Sequence, residues 1–369
     1  MSDGKGKALQ QRNFGIDLLK TMAMLCIVLL HVLLHGGMLW NMATFSDKYA
    51  IIWLMYTVTC CAVNCYALIS GYVGVASRAS PGRLIGYWLQ VVFYSAGIFL
   101  VFRFVFPQRI PAVDWLTYVT PVSSGVYWYF TAYFCIALFA PLLNAGLRSV
   151  QEHVLRQALL IGFFLFSVIP LWSQKDPYFL NEGLSAFWLG YLYLVGGYIR
   201  LHGHRTAGCR WKGYLAVCVF AACILTAWGW KIFSERGWFS LPAGTRAGLL
   251  INNTSPAIVL ASVALLVLFA GIRIRESVGR YCARLSTLTF GVYLIHDHPL
   301  VREYLMKDRF TWMIDAFDYR TLPVVVLVSA AGIFAVCAAA EALRIRLFAA
   351  LKIRQGYLSL IKAVRKTEE

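Results

Sequence analysis

Apolar runs of about twenty residues, separated by short polar segments, follow one another along almost the whole chain. An α-helix of that length spans the hydrocarbon core of a bilayer, because each residue adds about 1.5 Å along the helix axis. The predicted spans are 14–36, 51–74, 84–105, 126–146, 157–173, 184–200, 213–230, 249–271, 286–302 and 322–343. The pattern therefore predicts an all-α, polytopic membrane bundle of about ten transmembrane helices.

The basic residues between the runs predict how this bundle is oriented. Lys and Arg are more frequent in every second loop, starting with the N-terminal segment 1–13 and ending with the tail 344–369. The positive-inside rule places these loops in the cytoplasm. We therefore expect one membrane-embedded domain over 1–369, with a cytoplasmic N-terminus at 1–13, ten spans within 14–343 and a basic cytoplasmic tail at 344–369. We expect a multi-pass protein of the cytoplasmic (inner) membrane of a bacterial cell.

Composition excludes the soluble classes. Hydrophobic residues make up 60% of the 369 residues and charged residues only 14%, which is too little polar surface for a soluble domain of this length. The net charge of +17 lies in short loops and in the tail, so we expect contact with anionic lipid headgroups and no nucleic-acid partner. The ten cysteines fall in spans or in loops assigned inside, so we expect neither disulfides nor a zinc motif.

The first predicted span carries four ionisable residues on one face: Asp17, Lys20, His31 and His35. At about 100° per residue, all four fall within a stripe about 60° wide, and the rest of the helix is apolar apart from Thr21 and Cys26. Ionisable side chains in hydrocarbon cost several kcal/mol unless they face protein or a wet cavity. The stripe is therefore predicted to face the interior of the bundle.

Position along the axis separates the roles of these four residues. Asp17 and Lys20 lie near the predicted cytoplasmic surface, and His31 lies ~16 Å beyond Lys20, in the outer half of the membrane. Lys20 is open to two interpretations, a side chain that snorkels to the surface or a contact for the substrate. His31 is favoured as a functional base over a histidine that only satisfies a carbonyl. His31 and His35 are also spaced as a metal pair, but no third ligand is evident, so no metal site is predicted.

A second histidine, His296, lies at the end of the ninth predicted span. Thr289, Tyr293 and His296 fall within about 60° of one another, and the span brings His296 about halfway across the membrane. It is either a helix-end histidine close to Pro299 or a functional partner of His31. The adjoining Asp297 and His298 are expected to be helix-end residues without a functional role.

Five segments resemble one known family in the right order. They are Arg12-Asn-Phe-Gly-Ile-Asp17-Leu-Leu-Lys20 with His31, Val63–Tyr72, Trp128–Tyr133 with Ala140–Asn144, Leu194–Tyr198 and Thr289–His296. On these motifs the chain resembles the integral-membrane acyltransferase family (acyltransferase 3), of the surface-glycan O-acetyltransferase type without an extracytoplasmic domain. The resemblance covers nearly the whole chain.

The resemblance implies a membrane-bound O-acyltransferase. Such an enzyme moves an acetyl or short acyl group from cytoplasmic acyl-CoA to a hydroxyl of a cell-surface glycan or its lipid-linked precursor. The family pattern of a basic residue, ten residues and a histidine falls on Lys20 and His31. The family more often has arginine at the first of these positions, and a lysine does not make the same forked contact. The basic loop that follows the second span in the family falls on Arg78 and Arg83.

Acyl transfer needs a base, a donor that stabilises the thioester oxygen, and exclusion of water. We expect His31, as base or acyl carrier, and His296 to be catalytic. The remaining expected contacts to substrate and donor are Asp17, Lys20, Arg12, Arg78, Arg83, Asn64, Trp128, Tyr129, Tyr133 and Tyr293. Each arginine is alternatively a topology determinant, and each aromatic residue an ordinary packing residue. Acyl-CoA is expected as a co-substrate, and no permanently bound cofactor is expected.

Two other functions remain open from the residues alone. Buried histidine and aspartate also suit a proton-coupled secondary transporter or an exporter of a lipid-linked sugar, although the sequence shows no inverted repeat. A non-catalytic membrane scaffold is the third possibility, and it predicts that the polar stripe can be made apolar without loss of function.

Overall fold

The computed structural model describes residues 12–77, 81–106, 115–203, 210–238, 247–353 and 355–356. These residues are overwhelmingly helical, and none of them belongs to a β-strand. The predicted all-α class is therefore confirmed.

Ten longer helices, called α1 to α10, occupy the ten predicted segments. They are α1 Phe14–Leu34, α2 Asp47–Gly74, α3 Pro81–Val105, α4 Trp128–Ser149, α5 Glu152–Ser173, α6 Ala186–His202, α7 Arg210–Glu235, α8 Pro256–Gly271, α9 Glu276–His296 and α10 Leu322–Ala350. Between them lie short helical turns at Trp115–Val119, Asn181–Gly183, Pro299–Val301, Arg302–Met306 and Trp312–Ala316.

Among the described residues, seven helices are long and apolar enough to cross a membrane: α1, α2, α3, α4, α5, α7 and α10. Helix α8 is apolar but has only 16 residues. Helices α6 and α9 do not meet the same criterion, because α6 has 17 residues and α9 carries Arg280 and Arg284 in its first half. The chain is thus a multi-pass membrane protein, and the count of ten crossings stays a prediction.

Two predicted boundaries differ from the observed ones for local reasons. Helix α8 begins at Pro256 and not at 249, because Ser255 caps it by accepting a hydrogen bond from the backbone N–H of Ile258. The ninth predicted span, 286–302, is occupied by a helix that starts at Glu276 and ends at His296. Pro299 lacks the N–H that a continuing helix needs, and His298 caps the next helical turn.

Helix α1 lies at the centre of the bundle and contacts α2, α8, α9 and α10. Asn13 caps its first turn by accepting from the backbone N–H of Gly15 and Ile16, and the Asn13 amide donates to Ala270 O at the end of α8 (2.9 Å). A Cβ on Gly15 would overlap the carbonyl oxygen of Phe269. This glycine therefore permits the close approach that fixes the start of α1 against α8.

Helices α2 and α6 touch backbone to backbone through glycines. A Cβ on Gly71 would overlap the carbonyl of Tyr193, and a Cβ on Gly196 would overlap the carbonyl of Leu68. Small residues at a helix interface are the usual means of close packing inside a membrane.

A buried carboxylate joins α3 to α10. Glu341 is 1% exposed and accepts hydrogen bonds from Gln90 (3.1 Å), from the Tyr94 hydroxyl (2.6 Å) and from the Arg344 guanidinium (2.8 and 2.6 Å). A Cβ on Gly291 of α9 would overlap the Glu341 side chain. Helix α9 therefore packs directly against the ion pair between Glu341 and Arg344.

The outer surface of the bundle is apolar. Large hydrophobic side chains point away from the protein on several helices, among them Phe104 on α3, Leu142 on α4 and Val336 on α10. On a soluble protein such a surface would cause aggregation, whereas a bilayer solvates it.

Candidate active site

The polar stripe of α1 faces α9. Near the start of α1, Asp17 accepts a hydrogen bond from the Ser286 hydroxyl (2.8 Å), and near its end His31 contacts His296. Both partners belong to α9, so α1 and α9 run parallel with the stripe between them. The ionisable side chains therefore point into protein, as the cost of exposing them to lipid requires.

The two histidines singled out from the sequence are in direct contact. His31 Nδ1 lies 3.1 Å from His296 Nε2. The other ring nitrogen of His296, Nδ1, lies 2.6 Å from the carbonyl oxygen of Val292, one turn earlier on α9. His296 is 1% exposed, and the His31 side chain is 12% exposed.

These contacts assign the ring protons of both histidines when they are neutral. A carbonyl oxygen only accepts, so His296 Nδ1 carries the proton and donates it to Val292. His296 Nε2 is then an acceptor, and His31 Nδ1 is the donor between the two rings. The remaining nitrogen, His31 Nε2, keeps its lone pair. The geometry therefore holds His31 as a base with a defined basic atom.

Asp297 and Arg302 complete the polar group around His31, although the sequence was interpreted as giving Asp297 no role. Asp297 Oδ1 lies 3.6 Å from His31 Nδ1 and 3.3 Å from an Arg302 guanidinium nitrogen, and the Asp297 side chain is 3% exposed. The first distance is too long for a hydrogen bond, but it is short enough to stabilise positive charge on His31. One feature of the sequence could have indicated this contact, because Asp297 directly follows a candidate catalytic histidine.

Residues 299–316, called the capping segment, cover the end of α1 that carries the histidines. The Asp308 N–H donates to the carbonyl of His35 (3.1 Å), and the Phe310 N–H donates to the carbonyl of Gly36 (3.3 Å). Gly37 lies in the left-handed region at φ +85°, and a Cβ there would overlap the Asp308 carboxylate. The capping segment is thus fastened to the end of α1 that carries His31 and His35.

Near the other end of the stripe, Asp17 is engaged by neighbouring residues. Arg12 makes a forked contact with its carboxylate at 2.7 and 2.9 Å, and also donates to the carbonyl of Ala283 on α9 (3.2 Å). The hydrogen bond to Asp17 raises the pKa of Arg12 above its ordinary value. This arrangement fastens the N-terminal end of α1 to α9. The Arg12 side chain remains half exposed, so it is accessible to a further anion.

A line of tyrosines runs from Lys20 toward the histidines. The Tyr66 hydroxyl donates to the backbone carbonyl of Lys20 (2.9 Å). The Tyr66 ring lies 6.2 Å from Tyr129, and Tyr129 lies 6.2 Å from Tyr293, which precedes His296 by three residues. Lys20 itself is half-buried on the stripe. Helices α2, α4 and α9 thus line the α1 stripe with aromatic side chains between its two ends.

Tyr293 differs from its neighbour Tyr127 in how its hydroxyl is used. Tyr127 is buried and donates to the carbonyl of Leu294 (2.8 Å). Tyr293 is 5% exposed, and its hydroxyl makes no hydrogen bond of normal length among the described residues, although it lies near the Asp297 carboxylate. A buried hydroxyl without a partner costs free energy, so an unmade hydrogen bond marks it as available to a ligand.

The remaining predicted site residues are less close to the histidines. Asn64 uses its amide in packing, because it donates to the carbonyl of Asn253 (2.7 Å) and accepts from the Trp188 indole (3.1 Å). Trp128 packs edge-on against Tyr129 at 5.5 Å. Tyr133 lies one turn after Tyr129 on α4 and is half-buried.

The two arginines predicted from the loop after the second span are only partly described. Arg83 is exposed in the first turn of α3, and Arg78 lies outside the described residues. The Arg148 guanidinium donates to the carbonyl of Val75 at the end of α2, so a further basic group lies next to this loop.

Comparison with known families agrees with this arrangement. The model of the acyltransferase 3 family, described as an acyltransferase domain, matches residues 13–341, which include both histidines, the stripe and the tyrosines. No curated protein and no solved structure matches the chain in the same comparisons. The resemblance found in the sequence is confirmed, and the chain belongs to the acyltransferase 3 family.

Proposed function

We propose that this membrane acyltransferase moves an acetyl or other short acyl group from cytoplasmic acyl-CoA to a hydroxyl of a cell-surface glycan or its lipid-linked precursor. The observation that carries the proposal is the hydrogen bond between His31 Nδ1 and His296 Nε2. It leaves His31 Nε2, in a side chain only 12% exposed, as the base that transfer to an alcohol requires.

In the proposed reaction, His31 Nε2 takes the proton of the acceptor hydroxyl as its oxygen attacks the thioester carbonyl carbon. The tetrahedral intermediate then collapses, the carbon–sulfur bond breaks, and the departing thiolate takes the proton back from His31. While His31 is protonated, its charge is stabilised by His296 Nε2 at 3.1 Å and by the Asp297 carboxylate at 3.6 Å. Asp297 therefore acts as a positioning residue.

Stabilisation of the thioester oxygen is assigned to Tyr293. Its hydroxyl is buried, makes no hydrogen bond of normal length among the described residues, and precedes His296 by one turn on α9. A donor whose hydrogen bond is still unmade contributes more to a developing oxyanion than one that must first leave another partner.

We propose that the donor enters from the cytoplasmic end of the α1 stripe. Arg12, Lys20, Arg83 and Arg78 supply positive charge there for the phosphates of acyl-CoA. Tyr66, in contact with the backbone of Lys20, then begins an aromatic wall along which the acyl arm reaches His31. Trp128, Tyr133 and Asn64 are proposed to bound the same passage and to contact the sugar.

The test is acylation in a strain that carries His31→Ala. We expect mass spectrometry of the surface glycans to show loss of the acyl group, at a normal amount of membrane-inserted protein. His153→Ala is the matched control, because His153 is exposed on α5 and distant in sequence from both histidines. Normal acylation in the His31→Ala strain would end the proposal.

A second assay distinguishes the proposed enzyme from the alternative function, a proton-coupled transporter with the same buried histidine and aspartate residues. Purified protein of the proposed function cleaves acyl-CoA slowly in the absence of an acceptor and faster with a suitable sugar. A transporter leaves acyl-CoA intact under both conditions, and that result would favour the transporter.

A further inference from the structure

Three potential metal ligands meet at the end of α1: His31, His35 and Asp297. One ligand atom from each of them lies within 4.8 Å of the others. His31 and His35 lie one turn apart on α1, with their ring centroids 5.0 Å from each other. The third ligand comes from a different part of the chain, directly after α9, which is why the sequence gave no reason to predict a metal here.

The chemistry of these groups suits a divalent transition-metal ion. Two imidazoles and one carboxylate form a recurrent ligand set for zinc, with metal–ligand bonds of about 2.0–2.2 Å. Such bonds place ligand atoms about 3.3 Å apart in a tetrahedron, so rotations about the side-chain bonds bring a 4.8 Å group into range. The Asp297 carboxylate supplies negative charge, which it shares with the Arg302 guanidinium at 3.3 Å.

We propose that His31, His35 and Asp297 bind a divalent cation of the zinc type, and that the bound cation inhibits acyl transfer. The inhibitory part rests on the proposed function of His31. The cation-binding part rests on the ligand geometry alone.

Inhibition follows because both nitrogens of the His31 ring are in use. A cation bound at Nδ1 replaces the proton that His31 donates to His296 Nε2. A cation bound at Nε2 takes the lone pair that accepts the proton of the substrate. Either binding mode removes the base. Of the three ligands, only His35 has no part in the proposed reaction, so its substitution tests the cation site.

Direct binding tests the site without any use of enzymatic activity. The purified, chelator-treated full-length protein is titrated with Co²⁺ by visible absorption and with Zn²⁺ by calorimetry. We expect one equivalent to bind, and His35→Gln to weaken binding by about 10²-fold, the scale on which lost metal-site partners act. His153→Gln, which removes an exposed histidine, should bind as the unmodified protein does. Absence of binding, or equal binding by the His35→Gln protein, overturns the proposal.

Zinc inhibition of acyl-CoA turnover tests the consequence. We expect Zn²⁺ to inhibit the unmodified protein and EDTA to restore activity, with the half-inhibitory concentration raised about 10²-fold in His35→Gln. Stimulation by Zn²⁺, or a requirement for it, overturns the inhibitory role. A protein that binds Co²⁺ through His35 but never cleaves acyl-CoA contradicts the proposed function and supports the cation site, so the two failures are distinguishable.

Discussion

One backbone carbonyl determines which atom of His31 is basic. Val292 O accepts from His296 Nδ1, so the neutral His296 ring presents an acceptor to His31, and the His31 proton is held on Nδ1. The basic atom of His31 thus depends on His296 and on the carbonyl of Val292. Loss of His296 should therefore lower the activity nearly as much as loss of His31.

Replacement of His296 tests this dependence. We expect His296→Ala to lower kcat by about 10²-fold or more, because His31 loses the acceptor that holds its proton on Nδ1. His296→Gln should retain part of the activity, since an amide offers both an acceptor and a donor. The measurement is kcat and KM for acyl-CoA cleavage and transfer. An unchanged kcat in His296→Ala would show that His31 does not need its partner.

The Tyr293 hydroxyl gives a second prediction at this scale. We expect Tyr293→Phe to lower kcat by about 10²-fold with little change in KM, as for loss of an oxyanion donor. Thermal stability should not fall, because the hydroxyl makes no hydrogen bond of normal length among the described residues. Tyr127→Phe is the matched control, and it removes a hydroxyl that donates to Leu294 O, so its effect should be on the melting temperature. The reverse pattern in the two variants would contradict the assignment.

Sequence reasoning singled out His31 and His296 as candidates, and it did not predict all of the contacts that the structure shows for them. Helical periodicity places His31 on the stripe and His296 near the end of a span. These positions are what made the two histidines candidates for the site. The 3.6 Å approach of Asp297 depends on where α9 stops, and the sequence pattern had extended that span to residue 302. Asp297 is a helix-end residue, as expected, but the end of α9 at His296 also brings its carboxylate to His31, a contact that the sequence did not predict.

At the scale of the elements, close helix contacts depend on glycines whose neighbours are distant in sequence. Gly71 and Gly196 let α2 and α6 meet backbone to backbone, and Gly190 on the same α6 faces open space. A hydrophobicity pattern does not distinguish these three glycines. Their difference is therefore a property of the packed helices and was not predictable from the sequence.

This difference predicts opposite effects for identical substitutions. We expect Gly71→Ala and Gly196→Ala to destabilise the protein by about 1–3 kcal/mol, because the added methyl overlaps a carbonyl of the facing helix. Gly190→Ala should be neutral or stabilising by up to about 1 kcal/mol, because alanine has the higher helix propensity. The measurement is the melting temperature of the purified variants in detergent. Equal effects at Gly190 and Gly196 would contradict the α2–α6 contact.

At the scale of the whole molecule, the directions of packed helices bear on the number of crossings. Helices α1 and α9 run parallel, since Asp17 meets Ser286 and His31 meets His296. Helices α2 and α6 are also parallel, since Asn64 meets Trp188 and Tyr72 meets Arg200. In a bundle of ten successive crossings, the first and ninth helices share one direction, and the second and sixth share the other. The observed contacts agree with that alternation, although α6 is too short and α9 is not apolar enough to be recognised as a span.

Full alternation fixes which loops lie on each side, and this is the last prediction. We expect an epitope inserted in the full-length protein after Gly237, between α7 and α8, to be reached by antibody from outside when the membrane is intact. An epitope after Arg273, between α8 and α9, should be reached only after that membrane is permeabilised. The basic residues that follow α8 favour the cytoplasm, because short basic loops are retained there. The opposite accessibility would place the Arg12 end of the stripe outside, and then cytoplasmic acyl-CoA could not enter beside Lys20.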